Sequence, residues 1–314
     1  LPDNYLVVDF GPHGGGHGHP DKLNIVWWAY RTLMAPDPGS IAYGNPMHGG
    51  YYRQTLAHNT VVVDGQSQKP CTGELVFFAA GENVAIGCAK ANAAYPPVEL
   101  TRVVAVSGQR VLDVFVAADA KPHRYELVYR NQGEMQSDLE WQPLDKEPEG
   151  AGYSWCEKWQ QARADAPFTV RWNLGEGKGV VLRHIPQGNE TLLTALGHDQ
   201  PATTLVPFLL ERVEDKVAVW VNALQAFSGE APRLEVRVLT LPRDERGAPR
   251  AVALEADDGA HRDVLLVTLD GDELAAGPYR LRGRAALLHY GNGRLAAVLC
   301  ADGSEVWANG ERLK

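Results

Sequence analysis

From residue 59 onward the apolar residues fall into short runs separated by charged, glycine and proline positions. The run at 60–63 ends in Asp64-Gly65, and further runs occupy 74–79, 83–89, 98–106 and 111–117. The last two meet through Ser107-Gly108, which reads as a hairpin turn. The stretch 123–130 places apolar residues in near alternation, and later runs lie at 168–173, 179–185, 205–213, 217–223 and 234–241. Val, Leu, Phe and Tyr dominate them, as suits a pleated, half-buried surface. No long stretch carries the 3.6-residue period of an amphipathic helix. Short strands at regular spacing predict an all-β fold, a large antiparallel β-sandwich.

The first residues follow another pattern. An apolar run, Tyr5-Leu6-Val7-Val8-Asp9-Phe10, enters Gly11-Pro12-His13-Gly14-Gly15-Gly16-His17-Gly18-His19-Pro20-Asp21. The order strand, glycine loop, apolar segment mimics a dinucleotide-binding unit, but His19 and Pro20 stand where its third glycine would fall. A helical turn at 21–23 followed by strands at 25–30 and 33–35 fits the remaining pattern better. The segment 131–165 is polar and carries Trp141, Tyr153, Trp155 and Trp159, aromatics that staple a long loop to a sheet or stack on sugar rings. Composition shifts near 242–250 toward Arg, Pro and Gly, and short strand-like runs resume from Val252 to Trp307. This divides the chain into a β-sandwich at 1–245 and a small C-terminal β module at 246–314.

Composition narrows the possible partners. A formal net charge of −9 argues against a broad nucleic-acid surface, while leaving room for an anionic ligand held by a few local cations. No apolar run is long enough to cross a bilayer. The four cysteines, Cys71, Cys88, Cys156 and Cys300, lack metal-type spacing and read as scattered core thiols. The chain opens at Leu1 without an initiator Met or a signal peptide, which suggests a processed chain, a truncation or one domain of a longer protein.

The chemistry concentrates in the first 64 residues. Glycine permits tight turns and close approach, and histidine holds metals or moves protons near neutral pH. His19, Asp37 and His58 each lie near the end or start of a predicted strand, so three rigid points can grip a zinc ion. The plainer alternative is a hydrogen-bonded buried His58 and a turn-forming Asp37. His17 stands two residues from His19; on an extended segment both would point the same way, leaving His17 to face a cleft as an acid or base. Tyr43, Tyr51 and Tyr52 follow in a Gly/Pro-rich loop, where a phenol can act as an acid, hold a carboxylate or simply pack on the sheet. Arg53 can pair with an anionic group. Catalytic candidates are therefore His17, Tyr43 and Tyr52, and substrate-binding candidates are Arg53 and Asn59.

Three motifs, residues 14–23, Asp37-Pro38-Gly39 and His58-Asn59-Thr60-Val61-Val62-Val63-Asp64-Gly65, together resemble the C-terminal β-sandwich region of the heparinase II/III-like polysaccharide lyases. The resemblance implies β-elimination on uronic-acid glycans such as alginate or heparan sulfate. It also implies a zinc held by His19, Asp37 and His58, a cleft-facing His17, and a substrate-facing tyrosine that is either Tyr43 or Tyr52. Members of that family pair the sandwich with an N-terminal (α/α) toroid that supplies the principal acid–base pair. No such helical array is in this chain, so the resemblance implies a missing partner domain in cis or in trans, and a periplasmic or secreted setting. The expected partner is an acidic polysaccharide, with no nucleic acid and no membrane span. Scarce clustered Arg and Lys favour alginate or a weakly sulfated uronan over heparin. Two other classes compete: a non-catalytic carbohydrate-binding or scaffold domain with a structural zinc, and a zinc hydrolase with an open coordination position.

Overall fold

Two long strands decide the architecture. In the computed structural model, which describes residues 4–188, 190–271 and 273–314, the first 15 strands in chain order are β1 (Asn4–Val8), β2 (Ile25–Ala29), β3 (Thr32–Ala35), β4 (Val61–Val63), β5 (Glu74–Ala80), β6 (Val84–Lys90), β7 (Glu99–Ser107), β8 (Arg110–Arg130), β9 (Glu134–Ser137), β10 (Gln142–Pro143), β11 (Glu157–Arg163), β12 (Phe168–Gly175), β13 (Lys178–His184), β14 (Glu190–His198) and β15 (Leu205–Ser228). β8 and β15 run antiparallel along nearly their whole lengths, with one shift of register between Asp215 and Val217. Each was expected as two separate strands. Each is continuous, but its middle is polar and exposed, around Asp119–His123 and Glu214–Lys216. The two halves on either side turn the same apolar face inward. Phe115 and Trp220 from one half, and Tyr125, Leu127 and Leu209 from the other, belong to a single core. The sandwich is thus one large sheet bent over itself. Burying a ring the size of Trp220 removes ~200 Å² from water, worth roughly 5 kcal/mol.

Strands β11 and β14 extend this sheet beyond β15 and were not expected from the pattern. The polar segment 131–165 contains β9, β10 and β11 and is fastened by its aromatics. Tyr153 stacks on Trp159 at 5.6 Å, and Trp159 meets Phe208 edge-on at 5.5 Å. A separate three-stranded sheet, β1-β2-β3, adds Ile25, Trp27 and Met34 to the main core. All four cysteines are free thiols.

On the opposite face of the β6–β8 region lies a five-stranded sheet made of β16 (Glu235–Thr240), β17 (Ala251–Asp257), β18 (His261–Thr268), Ala285–Gly291 and Arg294–Ala301. Leu112, Val114 and Val221 of the sandwich share a core with Val236, Leu254 and Leu265. The expected boundary at 245/246 falls between β16 and β17, which are hydrogen-bonded neighbours. Arg110 crosses between the two units, donating to Asp263 and Asp258, each at 2.6 Å. A further four-stranded sheet covers the far side. No helix among the described residues is long and apolar enough to cross a membrane.

Candidate metal centre and its surface pair

The glycine-rich loop joins β1 to β2, and both its ends are tied. Lys22 Nζ meets Asp9 Oδ2 at 2.8 Å, and Leu23 N donates to Asp9 O at 2.6 Å. Gly14 and Gly15 have φ of 81° and 62°, which closes the 3-10 turn Gly15–His17. This turn overrides the expected parallel direction of His17 and His19, since the segment is not extended. His17 is exposed and His19 is half-buried. Gly18 separates them because nothing larger fits: a Cβ there would stand 1.4 Å from His13 O.

His58 follows the 3-10 turn Thr55–Ala57 and is fully buried. Its ring centroid lies 5.3 Å from that of His19. Donor atoms of His19, Asp21 and His58 lie within 4.8 Å of one another, and among the described residues no other group of three or more His, Cys, Asp or Glu does so. The carboxylate in that group is therefore Asp21. The expected Asp37 sits against His58 instead, with Oδ2 at 2.9 Å from His58 Nδ1. Asn24 Nδ2 donates to the same Oδ2 at 3.0 Å, and Gly39 N donates to Oδ1 at 2.8 Å.

The protonation of His58 decides whether these residues suit a cation. Its Nε2 lies 3.2 Å from Tyr52 O, a carbonyl that can only accept, so Nε2 carries the hydrogen. Nδ1 faces Asp37, which also accepts. A neutral ring has one hydrogen and cannot serve both. Either the ring is an imidazolium, or Nδ1 offers a lone pair to a cation beside Asp37. Two donors on one tetrahedral zinc are about 3.3 Å apart; at 2.9 Å the two atoms stand at hydrogen-bond distance, and sharing a cation would need them to part slightly. Burial disfavours charge on His58, but Asp37 outweighs it and raises the pKa. Burial and the neighbouring His58 lower the pKa of His19 to about 4, so its lone pair is free at neutral pH. Burial alone would lift Asp37, yet contact with His58 lowers its pKa to about 2. Two imidazole nitrogens and one or two carboxylates fit the donor set of zinc.

At the surface beside this group, Tyr43 OH and His17 Nδ1 are 2.6 Å apart. Tyr43 is 64% exposed, so a substrate can reach the pair. Tyr52, the other tyrosine candidate, is corrected to a core residue: it is buried and its hydroxyl donates to Asp199 O at 2.5 Å. Tyr51 is buried as well. Asn59 is also corrected. It is fully buried, and its Nδ2 donates to Ile25 O and Pro36 O, both at 3.1 Å, while its Oδ1 accepts from Arg130 N at 2.7 Å. With its amide spent on backbone, it bolts the segment between His58 and β4 in place and offers a substrate nothing. Arg53 donates through Nε to Gly18 O at 3.2 Å. The pattern gave no role to Asp21, Asn24 or His48; Asp21 lay inside the glycine motif and was the nearest to being found.

The chain is 29% identical over 242 residues to an alginate lyase of Stenotrophomonas maltophilia, covering 67% of this chain and 32% of that protein. It is 30% identical over 154 residues to an exo-oligoalginate lyase of Saccharophagus degradans, covering 41% and 21%. The chain therefore spans about a third or less of the curated relatives it matches. Among solved structures, a heparan sulfate lyase from Pedobacter heparinus superposes with a TM-score of 0.62 at 15% identity, covering 85% of this chain and 39% of the other. A heparinase III gives 0.64 at 12%, covering 85% and 40%. These likenesses show a shared fold. The model of the family described as heparinase II/III-like, C-terminal, matches residues 2–200, and the chain belongs to that family.

Proposed function

We propose that this chain is the β-sandwich part of a polysaccharide lyase that cleaves uronic-acid glycans by β-elimination, with alginate or a weakly sulfated uronan as substrate. The observation that carries the reading is the exposed Tyr43–His17 pair beside the histidine–carboxylate group. β-Elimination needs the uronate carboxylate neutralised, the C5 proton removed and the departing O4 protonated. Tyr43 can pass its phenolic proton to O4, with His17 Nδ1 positioned to stabilise or replace that proton. The free part of the Arg53 guanidinium supplies a cation for the uronate carboxylate. Names of the relatives favour alginate. The base that takes the C5 proton, whose electron pair forms the C4–C5 double bond as the C4–O4 bond breaks, is among the further acid–base groups that the family resemblance assigns to an (α/α) toroid, which we propose lies in the length that the relatives have and this chain does not span.

His19 and His58, with Asp37 or Asp21, would hold zinc. Bound there, zinc would supply a fixed positive charge that ties the glycine loop to the segment carrying His58. The test is release of an unsaturated, ultraviolet-absorbing product from alginate, assayed with the chain alone and joined to the preceding region. Tyr43→Phe is expected to lower kcat at least about a hundredfold, the scale of a lost general acid. Full turnover by Tyr43→Phe would refute the role of the pair. Absence of unsaturated product from every uronan, with the preceding region present, would refute the lyase reading.

A further inference from the structure

His48 opens the π-helical turn His48–Tyr52, an irregularity that is rare and often found at functional sites. Both ends of this turn reach toward the surface pair. At the first residue, His48 Nδ1 donates to Ile41 O at 2.9 Å, across the loop that carries Tyr43. The His48 ring lies against the Tyr43 ring, with centroids 4.6 Å apart and planes at 52°. At the other end, Arg53 N donates to His48 O at 3.1 Å. Arg53 Nε donates to Gly18 O, next to His17. Gly50, inside the turn, lies so close to Trp155 that a Cβ would stand 2.5 Å from its Nε1. The turn is therefore wedged against the 131–165 segment and cannot drift.

Among the described residues, the aromatic rings beside Tyr43 are those of His48 and His17. Tyr43 is exposed and sits in a loop rich in Gly and Pro. His48 is only 8% exposed, and its side chain makes no contact with solvent through Nε2, which has no hydrogen-bond partner among the described residues. Its one strong polar bond is the one that closes the Tyr43 loop.

We infer that His48 is a positioning residue: it backs the Tyr43 ring and closes the Tyr43 loop, so that the phenol stays aligned with His17. This rests on the lyase reading of the Tyr43–His17 pair. A misplacement of about 1 Å at a reacting group can cost on the order of a hundredfold in rate.

The test is a double-mutant cycle on the active polypeptide, with kcat and KM measured for His48→Ala, Tyr43→Phe and the double variant. If His48 acts through Tyr43, His48→Ala lowers kcat at least about tenfold in the native background and less than about twofold in the Tyr43→Phe background. KM changes little. His48→Asn, which keeps a donor near the place of Nδ1, restores part of the loss. An equal loss in both backgrounds, or no loss in the native one, overturns the inference. If Tyr43→Phe proves fully active, the lyase reading of the pair fails, and the positioning role is then read from a crystal structure of His48→Ala. Tyr43 leaving His17 in that structure supports the role, and the pair remaining at its present separation overturns it.

Discussion

Asp113→Asn tests how the sandwich core holds the candidate site. Asp113 is wholly buried and receives Arg102 Nε on Oδ1 at 2.9 Å, with Arg102 Nη2 and Tyr129 OH on Oδ2. Arg102 is buried too, and its Nη1 donates to Leu23 O and Asn59 O, each at 2.6 Å. One guanidinium therefore joins the end of the glycine loop, the residue after His58 and strand β8. An asparagine keeps the shape but turns one oxygen into an NH2 donor. Whichever way the amide is flipped, that NH2 faces at least one donor, and Arg102 is left as a buried charge without a counter-ion. Breaking a buried pair in this way costs about 3–5 kcal/mol. For 314 residues, an unfolding entropy of ~2.1 cal/mol/K per residue gives about 0.7 kcal/mol/K, so the melting temperature should fall by roughly 6 °C. Calorimetry of Asp113→Asn measures this directly. Arg102→Met combined with Asp113→Leu removes both charges but leaves the Leu23 and Asn59 carbonyls without their donor, so it should recover only part of the loss. A single variant that melts within about 1 °C of the native protein would refute the reasoning. So would a double variant less stable than the single one.

Three other outcomes are expected. Gly18→Ala should displace the loop, because its Cβ meets His13 O; zinc retention after gel filtration should drop while the far-ultraviolet spectrum stays native, and full retention would count against the tight-turn argument. His19→Ala should lose bound zinc, measured by atomic emission, and a variant that still holds about one zinc per chain would sink the proposed ligand set. The third concerns pH. His184 is buried, which by itself would keep it neutral, but Glu211 and Glu190 outweigh burial and carry its pKa up to about 9. A histidine whose pKa is raised on folding adds stability that is complete below its unfolded pKa of about 6.5 and is lost as pH rises through the folded one. Glu211 is raised to about 7, mainly by burial, and also favours the protonated, acidic side. The melting temperature should therefore decline between about pH 6.5 and 9, and His184→Gln should flatten that slope; a native protein whose melting point does not change over that range would contradict the assignment.

Much of the site was visible along the chain because glycine and histidine declare themselves locally. Gly14 and Gly15 take up positive φ, which glycine adopts without strain, Gly18 has no room for a Cβ beside His13 O, and His17 and His19 stand among them. The meeting of His19 with His58 was expected from strand borders, but His19 lies inside the loop before β2 and His58 follows a 3-10 turn, so the folding of the loop and not a strand end brings their rings together. The direction of His17 was misread, because the alternation rule holds for extended chain and the positive φ of Gly14 and Gly15 ends the extension. Strand β14 was overlooked: Thr191, Leu192, Leu193, Thr194 and Ala195 give a weak alternation, and it becomes a strand by pairing with both β11 and β15.

The order of apolar and polar residues by itself determined an all-β chain with a chemically armed loop at its start, because strand alternation and glycine's freedom act over a few residues. Only the tertiary structure decided which side chains meet. Tyr43 and Tyr52 sit in the same short stretch, yet Tyr52 is claimed by Asp199, 147 residues away, and Tyr43 is left at the surface for His17. Asn59 looked like a site residue and became a bolt because β2 and the Pro36 carbonyl arrive beside it. Burial and partnership are long-range quantities, set when β8 and β15 bend the sheet over itself, and no window of sequence contains them.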